Sequence, residues 1–245
     1  MGQFNVLKIL VVFQLRRSKH TAVTAIISPL AIAITAITIL PHALSKSYGV
    51  SVAKSILAGY IPLLAILAAL PVAIIAVIEA SMGRYNHLLL AGVSPYLLST
   101  SIVIVQALLS LSIVILGLIL SKILYNFPSS GNLGLVTILT FLGTLGISGL
   151  AMTVAYPFRN PQTSGLIVSL LVILFEYLSP VYYPITAIPK TMASIILVLN
   201  PLASVMEYLR GNIALNTTIT LVTLSSLVWT TLGALLLSKK IINII

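Results

Sequence analysis

The chain is dominated by long apolar segments separated by short polar ones, and these segments limit its fold more than any other feature. A helix needs about 20 apolar residues to cross the roughly 30 Å hydrocarbon layer of a bilayer, because each residue advances the helix by about 1.5 Å. Six segments reach or approach that length, so we predict six transmembrane helices. They are residues 21–40, 56–78, 96–121, 135–156, 164–178 and 218–237.

Charged residues are too few for a protein that is surrounded by water. They make up 7% of the 245 residues, whereas a soluble domain is typically about 25% charged. Apolar residues make up 59%, so lipid rather than water must cover most of the surface. We therefore predict an all-α polytopic membrane protein in which residues 1–245 form a single transmembrane domain.

Acidic residues and cysteines, on which much enzyme chemistry depends, are scarce or absent. The sequence has three acidic residues, Glu79, Glu176 and Glu207, and no cysteine. Hydrolytic, phosphoryl-transfer and metal-dependent mechanisms usually draw on carboxylates. The histidines at positions 20, 42 and 87 fall in separate loops, which argues against a metal site. We therefore expect no catalytic residue, metal or cofactor in this chain.

The net charge of +10 comes from basic residues that lie mainly between the apolar segments. That position is typical of topology signals and lipid-headgroup contacts, so we expect no nucleic-acid partner. Six spans place both termini on one side, and that side holds eight basic residues against five. The eight are Lys8, Arg16, Arg17, Lys19, Arg84, Arg159, Lys239 and Lys240, and the five are Lys46, Lys54, Lys122, Lys190 and Arg210. The positive-inside rule then predicts cytoplasmic termini.

The residues before the first span have the pattern of an amphipathic helix. Apolar residues recur there at helical spacing, and basic residues lie beside them. A helix of this kind lies in the plane of the membrane interface, and we predict one on the cytoplasmic side. Its apolar positions are Phe4, Leu7, Val11 and Leu15, and the basic residues are Lys8, Arg16 and Arg17.

The connection between the second and third spans contains a short helix-like run from Met82 to Leu90. Gly92 suits the end of a helix, and Pro95 suits the first turn of the next one. A short exposed helix between two spans could dock another protein. The pattern alone favours an ordinary connector over a docking element.

The connection between the fifth and sixth spans breaks its helix at membrane depth. The run Ser179-Pro180-Val181-Tyr182-Tyr183-Pro184 cannot continue a helix, and irregular backbone must be buried in protein or line a cavity there. Pro189 and Asn200-Pro201 then begin two short helices that we predict to be re-entrant. Glu207 and Arg210, at i and i+3, are placed to pair. Glu176 should face the bundle interior or a cavity.

Taken together, these segments resemble the membrane subunits of type-two ATP-binding-cassette exporters. In that family the second span ends in Glu, followed by Gly, Leu-Leu and a turn containing Val-Ser. Its fifth span is followed by Ser-Gly, two aromatics and Pro, and then by Leu-Pro and Asn-Pro-Leu…Glu-x-x-Arg. The matching residues are Glu79, Gly83, Leu88-Leu89 and Gly92-Val93-Ser94 for the first pattern, and Ser179-Pro180, Tyr182-Tyr183-Pro184, Ile188-Pro189, Asn200-Pro201-Leu202, Glu207 and Arg210 for the second.

The resemblance implies a permease in the plasma membrane, built from two copies of this chain or from this chain and a paralogue. A separate ATP-hydrolysing subunit would dock on its cytoplasmic face. This chain has no Gly-x-x-x-x-Gly-Lys-Ser/Thr phosphate loop, so ATP and Mg would bind to that partner. Because the spans are nearly uncharged, we expect export of a lipophilic or amphipathic substrate such as a drug, a lipid or a lipid-linked glycan.

The resemblance also implies roles for individual residues. The helix that couples the chain to the ATPase subunit would comprise Glu79, Gly83, Arg84, Tyr85, Asn86, His87, Leu88 and Leu89, although Arg84 and Asn86 stand where the family usually has a small polar and an acidic residue. The interface helix would use Phe4, Leu7, Val11 and Arg16. The re-entrant segment and pathway would include Glu176, Tyr182, Tyr183, Pro184, Asn200, Pro201, Glu207 and Arg210.

Two other functions compete with a permease. An ion-coupled secondary transporter would place charged coupling residues near the midplane of repeated halves, whereas these spans are nearly charge-free and show no repeat. A membrane-embedded enzyme is suggested by Gly146-Ile147-Ser148-Gly149, which imitates the serine motif of rhomboid proteases. A serine nucleophile needs a base, and no histidine follows position 87. These small residues instead suit close helix packing.

Overall fold

The structure is a computed structural model, and it describes residues 3–17, 31, 34–35, 37–43, 45–46, 49–128, 132–158 and 160–242. Helices and short connections make up these residues, and no strand occurs among them. The prediction of an all-α protein is thereby confirmed for the described part of the chain. Much of the first predicted span, residues 21–40, lies outside it, but residues 37–43 are helical.

Nine helices are named below in chain order. They are α1 (Gln3–Arg17), α2 (Val50–Ser81), α3 (Asn86–Leu90), α4 (Pro95–Tyr125), α5 (Leu133–Ala155), α6 (Pro161–Leu178), α7 (Lys190–Leu199), α8 (Ala203–Arg210) and α9 (Leu215–Ile242). A single 3-10 turn, Ile185–Ala187, lies between α6 and α7.

Four of these helices, α2, α4, α5 and α9, are long and apolar enough to cross a membrane. Helices α7 and α8 together could supply a fifth crossing, because they pass the same test as a pair bent by 116°. Helix α6 contains the predicted fifth span, is 18 residues long and is not among the four. The protein is therefore a multi-pass membrane protein with four or five candidate spans, and the count of six stays a prediction.

Helices α2 and α4 are longer than the apolar segments that predicted them. They contain 32 and 31 residues, which corresponds to about 48 and 46 Å of helix. The apolar segment marks only the part that lies in hydrocarbon, and the helical backbone continues beyond it. Helix α2 also passes through Pro62 and Pro71 without ending, because neighbouring helices can satisfy the backbone groups that a proline frees in a membrane helix.

Helix α2 lies at the centre of the fold, where it packs against α4, α5, α6, α8 and α9. Helices α5 and α9 pack closely against each other over a long stretch. A side chain at Gly149 would overlap the backbone of Trp229, and one at Gly233 would overlap the backbone of Gly149. The small residues of α5 thus serve close helix packing, as the sequence predicted.

Candidate functional site

The connection between α2 and α4 folds back on Glu79 in the last turn of α2. The side chains of Glu79, Arg84 and Tyr85 form a hydrogen-bonded group, called the Glu79 cluster below. The Arg84 guanidinium donates from Nη1 to Glu79 Oε1 at 2.8 Å, and the Tyr85 hydroxyl donates to Glu79 Oε2 at 2.9 Å. Tyr85 is buried, with 2% of its surface exposed, while the Arg84 side chain is 56% exposed. Glu79 and Arg84 therefore form an ion pair, which fixes the loop to the end of α2.

The helical part of this connection is shorter than predicted. Residues 82–85 are turns, and α3 begins at Asn86. Gly83 has a φ of 69°, a left-handed conformation that interrupts an α-helix. The backbone N–H of Gly92 donates to the carbonyl oxygen of Leu89, and that of Val93 to Leu88. These two bonds form the Schellman ending that Gly92 predicted.

Helix α3 presents two different faces. Leu88 and Leu89 pack against the hydrophobic core, whereas His87 and Leu90 are exposed. Leu90 has 85% of its surface exposed, and Met82 in the preceding turn has 54%. The connection is thus anchored on one side and open on the other.

Helix α1 packs along α4, and its buried side coincides only in part with the predicted apolar face. Its buried residues are Leu10 and Gln14, whereas Leu7 and Val11 are half-buried and Arg16 is exposed. Phe4 is 78% exposed. Exposed Ile9 and Val12 lie beside Lys8 around a shallow pocket whose fourth lining residue is Asn5. The helix therefore has one face on the protein and a second face, both apolar and basic, that is open.

A second constellation centres on Glu207 and Arg210 in α8. Glu207 is fully buried, and the Arg210 side chain is 3% exposed. Arg210 Nη1 lies 2.7 Å from Glu207 Oε1, and Asn212 Nδ2 donates to Glu207 Oε2 at 2.7 Å. The predicted pair is present, and Asn212 supplies a hydrogen-bond donor to the second carboxylate oxygen.

Arg210 also holds the break that follows α6. Its Nη2 donates to the carbonyl oxygen of Val181 at 2.6 Å, and its Nη1 donates to that of Pro180. Its Nε donates to the carbonyl oxygen of Ser55 in α2 at 3.1 Å. One side chain thus satisfies carbonyl groups that the interrupted helix leaves free, as a buried break in a membrane protein requires.

Asn200 ties the start of α8 to the same break. Its Nδ2 donates to Ser179 Oγ at 2.6 Å, and its Oδ1 accepts from the backbone N–H of Leu202 at 2.9 Å. Pro201 packs against α5, since a side chain at Gly146 would overlap it. Asn200 and Pro201, predicted as members of the re-entrant segment, thus fix its geometry.

Glu176 and Tyr182 lie together on the other side of the break. The Tyr182 hydroxyl donates to Glu176 Oε1 at 2.6 Å and lies 3.0 Å from the Tyr60 hydroxyl. The rings of Tyr60 and Tyr182 meet edge to face, with centroids 5.7 Å apart. Tyr183 points elsewhere, because its hydroxyl donates to the carbonyl oxygen of Tyr177 at 2.9 Å. Pro184 is half-buried and precedes the 3-10 turn.

Sequence reasoning missed the residues of α2 that contact this segment. Ser55, Gly59 and Tyr60 all belong to a helix that was predicted only as a span. A side chain at Gly59 would overlap the backbone of Val181, so the break lies directly against the α2 backbone. An isolated glycine in a helical segment often has a packing reason, and Gly59 was the one available signal.

Neither an enzyme-like serine site nor a metal cluster is found in the described part of the chain. Ser148 is fully buried in α5, and its hydroxyl has no hydrogen-bond partner there. A nucleophilic serine would need a base within hydrogen-bonding distance. No group of three or more metal-ligating side chains occurs among the described residues.

Comparison with known protein families gives a match over most of the chain. The family model described as ABC-2 type transporter matches residues 4–214. The match includes the Glu79 cluster, α3, the break after α6 and the Glu207–Arg210 pair, and it ends where α9 begins. No curated protein sequence matches the chain.

Proposed function

Because this chain belongs to the ABC-2 type transporter family, we propose that it forms the transmembrane path of an ATP-driven exporter. The family consists of transport subunits rather than catalytic ones, and the chain is an ABC permease subunit in this sense. The outward direction, the coupling to ATP hydrolysis and the substrate are the proposed parts.

The Glu79 cluster is the observation that best supports the proposal. An ATPase subunit can move a permease only through an exposed element that is firmly joined to a span. Helix α3 is exposed at His87 and Leu90, and the bonds from Arg84 and Tyr85 to Glu79 join its approach to the last turn of α2. A displacement of α3 would therefore be transmitted to α2, which packs against five other helices.

We propose six spans in the plasma membrane, with both termini in the cytoplasm. Residues 21–40 and α6 would add two spans to α2, α4, α5 and α9. The interface helix α1 and the coupling helix α3 would then share the cytoplasmic side with the end of α9. Helices α7 and α8 would enter the outer leaflet and return, an arrangement consistent with their bend of 116°.

The complete transporter would contain two permease subunits, either two copies of this chain or this chain and a paralogue, and a separate ATPase subunit that binds ATP and Mg. Lipid would surround it. The substrate would be lipophilic or amphipathic, since charged residues are nearly absent from the apolar segments.

Copurification tests the partner. The tagged chain is purified from its native membrane in mild detergent, and bound proteins are identified. We expect a subunit with a phosphate-binding loop, and we expect Leu90→Ala to reduce its recovery several-fold. The matched control is Ile123→Ala, an equally conservative change. Ile123 is 74% exposed and lies at the end of α4 that is far from α3. Equal recovery with both variants would contradict the role of α3.

Transport in inside-out vesicles tests the energy source and the direction. The proposal expects accumulation of an amphipathic dye that requires ATP and survives dissipation of ion gradients. Accumulation without ATP that collapses with an ion gradient would identify an ion-coupled secondary transporter instead.

A further inference from the structure

Glu176 differs from the other two acidic residues in having no basic partner among the residues that the structure describes. Glu79 pairs with Arg84, and Glu207 pairs with Arg210. Glu176, in the last turn of α6, has the Tyr182 hydroxyl as its hydrogen-bond partner among the described residues. Charged groups in membrane segments usually pair with one another or with a ligand. The charge of Glu176 is balanced by no residue of the described chain.

Three aromatic rings form a cluster beside this carboxylate. Tyr182 lies 5.7 Å from Tyr60 and 6.3 Å from Tyr177, measured between ring centroids. Tyr177 is 64% exposed and Tyr182 is 40% exposed, so a ligand can reach both rings. Aromatic faces attract cations, and clusters of such faces bind quaternary ammonium groups.

The hydrogen bonds of the cluster leave one carboxylate oxygen available. A tyrosine hydroxyl has one hydrogen to donate, and Tyr182 donates its hydrogen to Glu176 Oε1 at 2.6 Å. Tyr60 must therefore be the donor in the 3.0 Å contact between the two hydroxyls. Glu176 Oε2 has no partner within the described residues, so it can accept from a ligand or lie beside a positive charge.

The surrounding structure holds the cluster in place before any ligand binds. Tyr60 follows Gly59, whose close approach to Val181 fixes the distance between α2 and the break. Arg210 anchors the carbonyl oxygen of Val181 at 2.6 Å, one residue before Tyr182. The Tyr183 hydroxyl ties the same loop back to the carbonyl oxygen of Tyr177 at 2.9 Å. A preorganised site loses less entropy on binding.

We propose that Glu176, Tyr60, Tyr177 and Tyr182 form a binding site for an amphipathic organic cation. The carboxylate balances the positive charge, and the tyrosine rings contact the apolar body. This assignment rests on the proposed transport function, because it names the class of substrate that the permease would carry.

The test uses two ions of the same shape and opposite charge, tetraphenylphosphonium and tetraphenylborate. The full chain in lipid nanodiscs is dialysed to equilibrium against each ion, and binding to empty nanodiscs is subtracted. We expect saturable binding of the phosphonium and none of the borate. Glu176→Gln should weaken phosphonium binding about tenfold, while Glu176→Asp, which keeps the charge, should retain most of it.

The aromatic part of the site has its own variant and control. Tyr177→Leu removes an exposed ring from the cluster and should weaken phosphonium binding several-fold. Tyr96→Leu removes a ring that is 44% exposed at the start of α4, and it should have no effect. Equal binding of the two ions, or unchanged phosphonium binding in Glu176→Gln, would overturn the site.

The binding assay needs no ATPase subunit, which separates this inference from the proposed function. Charge-selective binding by a chain that recovers no ATPase subunit would support the site and overturn the exporter. Recovery of an ATPase subunit by a chain without charge-selective binding would support the exporter and overturn the site.

Discussion

The guanidinium of Arg210 reaches across the fold to the carbonyl oxygen of Val181, 2.6 Å from its Nη2. This contact joins α8 to the break after α6, and the pairing of Arg210 with fully buried Glu207 adds a charge interaction in the protein interior. The same side chain bonds to Ser55 of α2. Three parts of the chain that are distant in sequence therefore depend on one residue.

Arg210→Met should destabilise the protein strongly, because it leaves the Glu207 carboxylate buried without a counter-charge. Losing one member of a buried pair costs about 3–5 kcal/mol. The comparison is Arg84→Met, which breaks an ion pair whose arginine is 56% exposed and should cost about 1 kcal/mol or less. Unfolding in increasing SDS, followed by the fluorescence of the single tryptophan Trp229, measures both. Similar losses for the two variants would contradict the buried pairing.

The double variant Glu207→Leu/Arg210→Met adds a further check. Replacing both members of a buried pair with apolar residues is often close to neutral. Here the carbonyl oxygens of Pro180 and Val181 would still lose their donor. We therefore expect the double variant to be more stable than Arg210→Met and less stable than the natural protein.

Gly59→Ala should also destabilise the protein, because the added methyl group would overlap the backbone of Val181. Overpacking typically costs about 1–3 kcal/mol. Gly117→Ala is the matched control, since its methyl group would meet Leu64 and Ile37 only at the ends of their side chains, 2.9 and 3.2 Å away. Side-chain ends can move, and alanine favours the helix over glycine. In the same unfolding measurement, a Gly117→Ala loss as large as that of Gly59→Ala would contradict the close approach.

Residue types with fixed conformational preferences made parts of this structure predictable. Pro95 begins α4 and Gly92 ends α3, because proline and glycine favour those positions whatever the rest of the chain does. Glu207 and Arg210 could be paired from sequence, since a helix brings i and i+3 together. Apolar segments likewise predicted the location of spans, although not the polar ends of α2 and α4.

Contacts between distant segments were not predictable in the same way. Nothing in the local sequence places Tyr60 against Tyr182, because that contact depends on how α2 packs beside the break. The buried face of α1 is a similar case. Phe4 fits the amphipathic pattern but is 78% exposed, whereas Gln14 is polar and only 5% exposed, since packing on α4 determines which face is covered.

Tyr85→Phe should uncouple the permease from the ATPase subunit without separating them. The ring of Tyr85 is buried, and its hydroxyl donates to Glu79. The variant therefore changes the Glu79 cluster beneath α3 and leaves the exposed residues of α3 intact. A hydrogen bond to a charged group contributes about 1.5–3 kcal/mol. We expect normal recovery of the ATPase subunit and a several-fold lower amount of dye transported per ATP hydrolysed.

The control for this experiment is Tyr96→Phe, which removes an exposed hydroxyl just beyond the connection. Transport per ATP should be unchanged in that variant. Loss of the ATPase subunit itself in Tyr85→Phe would show that the Glu79 cluster shapes the docking surface rather than transmitting movement.

Lys240→Met should loosen the junction between α9 and the end of α5. Lys240 Nζ donates to the carbonyl oxygens of Tyr156 and Phe158, both at 2.6 Å, and it lies over the Tyr156 ring at 5.7 Å. A cation at a helix C-terminus also interacts favourably with the helix dipole. Without the ammonium group, these part-buried carbonyl oxygens lose their donor, at a cost of about 1 kcal/mol.

Lys239→Met is the matched control, because the neighbouring lysine is exposed and the two variants have the same composition and net charge. We expect the SDS unfolding transition of Lys239→Met to stay close to that of the natural protein and that of Lys240→Met to move to a lower SDS fraction. Since both variants remove one positive charge from the same end of α9, a general effect of charge at the membrane surface would shift both equally. Such an equal shift would contradict the role of Lys240 at the end of α5.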